Sequence, residues 1–238
     1  MSTELLFRDD AYLAGCEATV ERVNERGGII LDRTVFYATA GGQPGDKGLL
    51  KQGSEGVPIA TTVYDENKTV VHVPAAPVEL SPGAKVALAL DWDLRYRNMR
   101  AHTLMHLLCA NVPYPVTGGS ITEDGGRIDF DIPEGGVPEK GELAQKINGL
   151  IREDHPVFSR WISDEELKAN PQLIRTMSVK PPMGTGRVRL VAIGDNGGID
   201  LQPCGGTHVR STGEIGPIAI AKIESKGKMN RRIRLVFA

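Results

Sequence analysis

Two pairs of potential metal ligands, His102-x-x-x-His106 and Cys204-x-x-x-His208, lie far apart in this chain. Together they supply three imidazoles and one thiol, a full ligand set for a tetrahedral zinc ion. If all four bind one ion, the chain between them must close on itself. Three neutral imidazoles and a thiolate would leave zinc with a net charge of +1. Such an ion can hold water or polarise a carbonyl where a coordination position opens.

The 238 residues, 40% hydrophobic and 24% charged, suit one or two domains with proper cores. Aromatic residues make up only 5%, so aliphatic side chains must build the interior. No apolar run approaches the roughly 20 residues that span a bilayer, and Met1–Asp10 lacks the basic-then-apolar pattern of a signal peptide. Three cysteines do not make a disulfide framework. A reducing cytoplasm is therefore expected, with Cys204 available as a ligand.

The character of the chain changes near residue 92. Before it, short strands are expected at Glu17–Val23, Gly28–Asp32, Thr61–Asp65, Thr69–Val73 and Lys85–Asp91, punctuated by Gly and Pro. Such spacing predicts a small β-barrel domain over residues 1–92. Residues 93–238 read as an α+β domain with helices packed on antiparallel sheet. A helix from Asp93 to Ala110, capped by Asp91 or Asp93, carries His102 and His106 one turn apart on one face. Cys109 follows on the same stripe as a small buried hydrophobe. A second helix follows Pro138 and stops by Pro156, and Ser163-Asp-Glu-Glu166 forms a capping box opening a third. Hairpins are expected around Asp195-Asn-Gly-Gly198 and between Ile218–Glu224 and Arg231–Phe237.

His-x-x-x-His alone fits a partly buried helix face as well as a metal site. Cys204-Gly-Gly-Thr-His208 strengthens the metal reading, because its glycines let a loop aim both ligands at one point. His72 and His155 have no such partners and read as ordinary residues. A closed Cys-His₃ site can staple helix to sheet; an open one can catalyse. Thr103 stands where a zinc protease carries glutamate, so the base for attack on an amide is missing. Esters, being easier to cleave, remain open. The net charge of −2 excludes an indiscriminate polycation. Basic residues cluster locally, with Arg95, Arg97 and Arg100 before the first pair and Lys228, Arg231 and Arg232 near the end. They are either solvated faces or phosphate contacts.

Arg100-Ala-His-Thr-Leu-Met-His-Leu-Leu108 resembles the helix motif of the alanyl-tRNA synthetase editing domain. Cys204-Gly-Gly-Thr-His-Val209 with Thr212-Gly-Glu-Ile-Gly216 resembles its second metal motif, and Lys226-Gly…Arg231-Arg-Ile-Arg-Leu235 its last hairpin. Gly41-Gly-Gln-Pro-Gly-Asp-Lys-Gly48 looks like the Gly-rich motif of the accompanying barrel, although Ala40 stands where the family usually has a third glycine. In order and coverage the chain resembles the free-standing, medium-length AlaX alanyl-tRNA editing proteins.

That resemblance implies a trans-editing hydrolase that deacylates tRNA(Ala) mischarged with serine or glycine, with Zn²⁺ on His102, His106, Cys204 and His208. It implies substrate contacts from Thr117 and from Gly41, Gly42 and Gln43. The tRNA phosphates would meet Arg95, Arg97, Arg100, Lys228, Arg231 and Arg232. No ATP-binding motif is expected to support charging. A pocket sized for alanine excludes serine poorly, whereas a site that hydrogen-bonds the seryl hydroxyl discriminates strongly. A zinc-stapled RNA-binding module without catalysis and a different zinc hydrolase acting on small esters or amides are the readings from other classes.

Overall fold

The computed structural model describes residues 3–133, 136, 138–176 and 186–238. Its contacts group into two compact units, Met1–Tyr96 and Arg97–Ala238.

In the first unit, β1 (Glu4–Leu5) pairs in parallel with β4 (Arg33–Thr34). Strands β2 (Gly15–Val23), β3 (Ile29–Leu31), β5 (Gly48–Gln52), β6 (Glu55–Tyr64), β7 (Val70–Pro74) and β8 (Lys85–Leu90) close a barrel in the order β2-β3-β7-β6-β5-β8. All its described pairings are antiparallel. Ala18, Val20, Ile29, Leu31, Leu50, Ile59, Val86 and Leu88 alternate inward from their strands and fill it with Val35 and Phe36. The small barrel expected from strand spacing is present. β5 and the first half of β6 were not expected. Their sequence, Gly48-Leu-Leu-Lys-Gln and Glu55-Gly-Val-Pro-Ile, mixes Gly, Pro and charge and hides its alternation.

Gly41 and Gly42 occupy a tight turn at φ +57° and +85°. Ala40 and Gln43 exchange backbone hydrogen bonds across it, 3.2 and 2.9 Å long. Two consecutive left-handed positions suit Gly-Gly and penalise any side chain. Ala40, the departure from the family motif, lies outside that pair, its carbonyl accepting a 2.9 Å bond from the Tyr37 hydroxyl.

The helix α1 (Trp92–Asn111) begins where Asp91 accepts from the backbone of Leu94 at 3.2 Å and of Arg95 at 3.0 Å, so Asp91 is the cap. From Ala101 to Cys109 every residue is buried. This part of the helix has no solvent face, which allows two histidines and a threonine to sit among its leucines.

The second unit holds the sheet β14-β15-β10-β9, with β9 (Val116–Thr122), β10 (Gly125–Asp131), β14 (Ile218–Ser225) and β15 (Asn230–Phe237) all antiparallel. The helix α2 (Lys140–Arg152) packs on β14, burying Leu143, Ile147 and Ile151. Asn148 locks the two together, donating to the Ile218 carbonyl and accepting from its N–H at 2.9 and 3.0 Å. A second sheet orders β11 (Val157–Ser163), β12 (Arg187–Ile193) and β13 (Asp200–Pro203) as β11-β12-β13. Between its first two strands, α3 (Asp164–Ala169) opens with the expected capping box of Ser163 and Glu166. The α+β organisation is as expected. β9, β10 and β11 were missed, because glycines and charges interrupt the first two and Ser159 and Arg160 the third.

Candidate metal centre

His102 and His106 project from α1, one turn apart, while Cys204 and His208 come from the loop after β13. Their four ligand atoms all lie within 4.8 Å of one another. Cys204 Sγ is 3.5 Å from Nε2 of His102 and 3.3 Å from Nε2 of His208. The ring of His208 lies 4.3 Å from that of His102 and 4.7 Å from that of His106, centroid to centroid. All three histidines are buried and Cys204 is partly buried. Four such donors gathered at one point can hold a metal ion.

The rings of His106 and His208 are also held from behind. Nδ1 of His106 donates to the Asp200 carboxylate at 2.7 Å, and Gln202 donates to the same oxygen at 2.9 Å. Nδ1 of His208 donates to the Thr103 hydroxyl at 3.2 Å. That hydroxyl donates in turn to the Met99 carbonyl and accepts from the N–H of Val209. With Nδ1 of both rings engaged by these acceptors, Nε2 is the nitrogen left to face the centre. Asp200, Gln202 and Cys204 follow one another at strand spacing, which puts the three side chains on one side of the chain.

The loop is shaped differently from expectation. Neither Gly205 nor Gly206 has a positive φ, so left-handed freedom is not what folds it. Instead Arg189 Nη1 donates at 3.0 Å to the carbonyls of both Cys204 and Gly206. The N–H of Gly206 points at Cys204 Sγ, 3.4 Å away.

Burial and mutual charge pull the titrating groups of the cluster in different directions. Burial opposes ionising the Cys204 thiol, but the adjoining His102 and His208 rings hold its pKa well below the ordinary thiol value. Burial likewise opposes protonating His106, but Asp200 and the Cys204 sulfur prevail and hold its pKa up at about 10. For His208, burial and the neighbouring His102 push the pKa well down. Cys109 is buried, and burial and the Asp200 charge push its thiol up to about 12, the inert state of a core residue.

Thr117 lies in β9, where its hydroxyl donates to the Asp129 carbonyl at 3.1 Å and accepts from the Asn230 amide at 3.2 Å. Gln43 is buried, while Gly41 and Gly42 are exposed.

The basic residues separate into different roles. Arg95 is fully buried, and its guanidinium pairs with Asp46 and donates to the carbonyls of Ala11 and Val35. It cannot meet a phosphate, and the expectation for it is corrected: a helix-start arginine turned inward to a buried carboxylate. Arg100 donates to the Ile215 carbonyl at 3.0 and 2.6 Å and stacks on Phe237 at 4.2 Å. Arg232 forks onto Asp129 at 2.7 and 2.8 Å, and with Arg127 it holds that carboxyl below its usual pKa. Arg231 closes the β14–β15 turn by donating to Ser225 and Gly227. Arg97, half-exposed beside Glu123 at 3.7 Å, and exposed Lys228 stand outward.

Residues 188–234 match the family model described as the threonyl and alanyl tRNA synthetase second additional domain, and residues 11–94 match that of class II (A) tRNA synthetases. The alanyl-tRNA editing protein AlaX-M of Methanosarcina acetivorans is 35% identical, over 97% of both chains. The chain belongs to the AlaX family of alanyl-tRNA editing proteins. AlaX-M of Saccharolobus solfataricus is 32% identical, again over 97% of each chain. The alanine–tRNA ligase of Pyrobaculum aerophilum is 35% identical over 93% of this chain but only 25% of its own length. AlaX proteins and this stretch of a much longer ligase thus share one sequence pattern.

Proposed function

We propose that the protein is a trans-editing hydrolase that removes serine, and glycine, from mischarged tRNA(Ala), with Zn²⁺ at the centre formed by His102, His106, Cys204 and His208. Residues 93–238 form the editing domain and residues 1–92 the accompanying barrel domain. Membership of the AlaX family supports the editing reaction. The carrying observation for the metal is the convergence of four N and S atoms within 4.8 Å. Zinc bonds of about 2.0–2.3 Å in a tetrahedron place ligand atoms roughly 3.3–3.7 Å apart. The 3.3 and 3.5 Å separations from Cys204 Sγ fit that figure.

When bound there, zinc supplies Lewis-acid chemistry, stabilising charge on an ester carbonyl and acidifying water. Asp200 and Thr103 hold the imidazoles of His106 and His208 in the tautomer that presents Nε2. Arg189 holds the Cys204 loop. Thr117 is assigned to the amino-acid side chain, and its present bonds leave its oxygen one lone pair for a seryl hydroxyl. Gly41, Gly42 and Gln43 are assigned to the substrate end, and Arg97 and Lys228 to tRNA phosphates. Replacing His106 with Ala should abolish deacylation of seryl-tRNA(Ala) by folded protein; full retained activity contradicts the assignment.

A further inference from the structure

Asn98 is fully buried in α1, and neither its amide nitrogen nor its amide oxygen has a hydrogen-bond partner. Among the described residues it is the one buried side chain with two such atoms. Other asparagines in or ending helices behave differently. Asn111, Asn148 and Asn170 each donate to the carbonyl four residues back, at 2.9, 2.9 and 2.8 Å. Asn98 has the same option toward Leu94 and does not take it.

Its place on the helix says where the amide can work. Asn98, His102 and His106 succeed one another at four-residue steps, about 6 Å and 40° apart, on one stripe. Asn98 therefore lies one turn before the two helical histidines on the same stripe, within a side chain's reach of a molecule bound beside His102. A buried amide with nothing to bond destabilises a fold, so leucine would serve a purely structural role better. An amide offers one donor face and one acceptor. A hydroxyl, which both donates and accepts, complements it.

We propose that Asn98 is a substrate-binding residue that recognises a hydroxyl at the aminoacyl-ribose end of the substrate. Two hydroxyls are available there, that of the seryl side chain and the vicinal one of the terminal ribose. This inference rests on the editing function proposed above.

The test compares wild type, Asn98→Leu and Asn98→Ala on seryl-tRNA(Ala) and glycyl-tRNA(Ala), with zinc content and melting temperature measured on each. Asn98→Leu should keep its zinc, melt no lower than wild type and lose about tenfold or more in kcat/KM. A loss on the seryl ester alone assigns the seryl hydroxyl; an equal loss on both assigns the ribose hydroxyl. Either result supports the proposal. Unchanged kcat/KM on both esters overturns it, as does a loss that tracks lower zinc content or melting temperature in both variants. If wild type hydrolyses neither ester, the editing function itself fails, a result distinct from a variant that matches an active wild type.

Discussion

The Asp200 carboxylate sits 2.7 Å from Nδ1 of His106, directly behind the ring face that presents Nε2 to Cys204, His102 and His208. A carboxylate in this position fixes the tautomer and raises the basicity of the ligand. Asp200→Ala should therefore weaken zinc binding by roughly 10–100-fold, read by competition with a chromogenic chelator. Affinity equal to wild type would show that His106 needs no such support.

Breaking the Arg95–Asp46 pair should be far more damaging than removing any exposed cation. Both side chains are buried, and deleting one partner leaves a buried charge uncompensated, at about 3–5 kcal/mol. Arg95→Ala should shift urea unfolding by that amount, and Arg95→Lys should rescue little, because lysine cannot reproduce the several directed bonds of the guanidinium. A near-wild-type midpoint for Arg95→Ala would contradict this.

Arg97→Glu and Lys228→Glu should leave unfolding unchanged but weaken tRNA binding. Each should lower the slope of log affinity against log salt by about 1. Salt titrations of tRNA binding for the two variants and wild type measure it. Superimposable curves would remove both residues from the interface.

His72 predicts an acid-side loss of stability. It is buried against Thr34 and the Ile29 carbonyl, at 2.8 and 3.1 Å, and burial lowers its pKa to about 4. Unfolded, it would titrate as an ordinary imidazole, near 6.5. The unfolded chain thus binds a proton that the folded chain refuses. This contribution is complete above about pH 6.5 and falls away toward pH 4, by up to about 3 kcal/mol. His72→Gln should flatten that part of the stability–pH curve, and an unaltered slope would contradict the assignment.

The sequence made the barrel and the His/Cys cluster legible because both are written in local patterns. Alternation in Lys85–Leu90 and Val70–Pro74 exposes strands, and the paired x-x-x spacings expose the four residues that cluster. What lay hidden depended on distant partners. Arg95 looks like any helix-start arginine until Asp46, from the barrel unit, is placed beside it. Arg232 looks like a phosphate contact until the β10–β15 register sets it opposite Asp129. Asp200 and Gln202 were readable as an alternation running into Cys204. Asn98 was not: a lone asparagine in a helix acquires meaning only once its burial and empty bonding are known. The turn at Gly41–Gly42 shows the reverse, a motif whose backbone requirement is visible from residue type alone.

The most direct test measures release of the aminoacyl group from seryl-tRNA(Ala) and alanyl-tRNA(Ala) by zinc-loaded protein, by protein stripped with a chelator, and by stripped protein resupplied with zinc. The four-ligand centre predicts rapid loss of serine, little loss of alanine, no hydrolysis after stripping and recovery on resupply. Undiminished deacylation by fully stripped protein, or equal loss of serine and alanine, would contradict it.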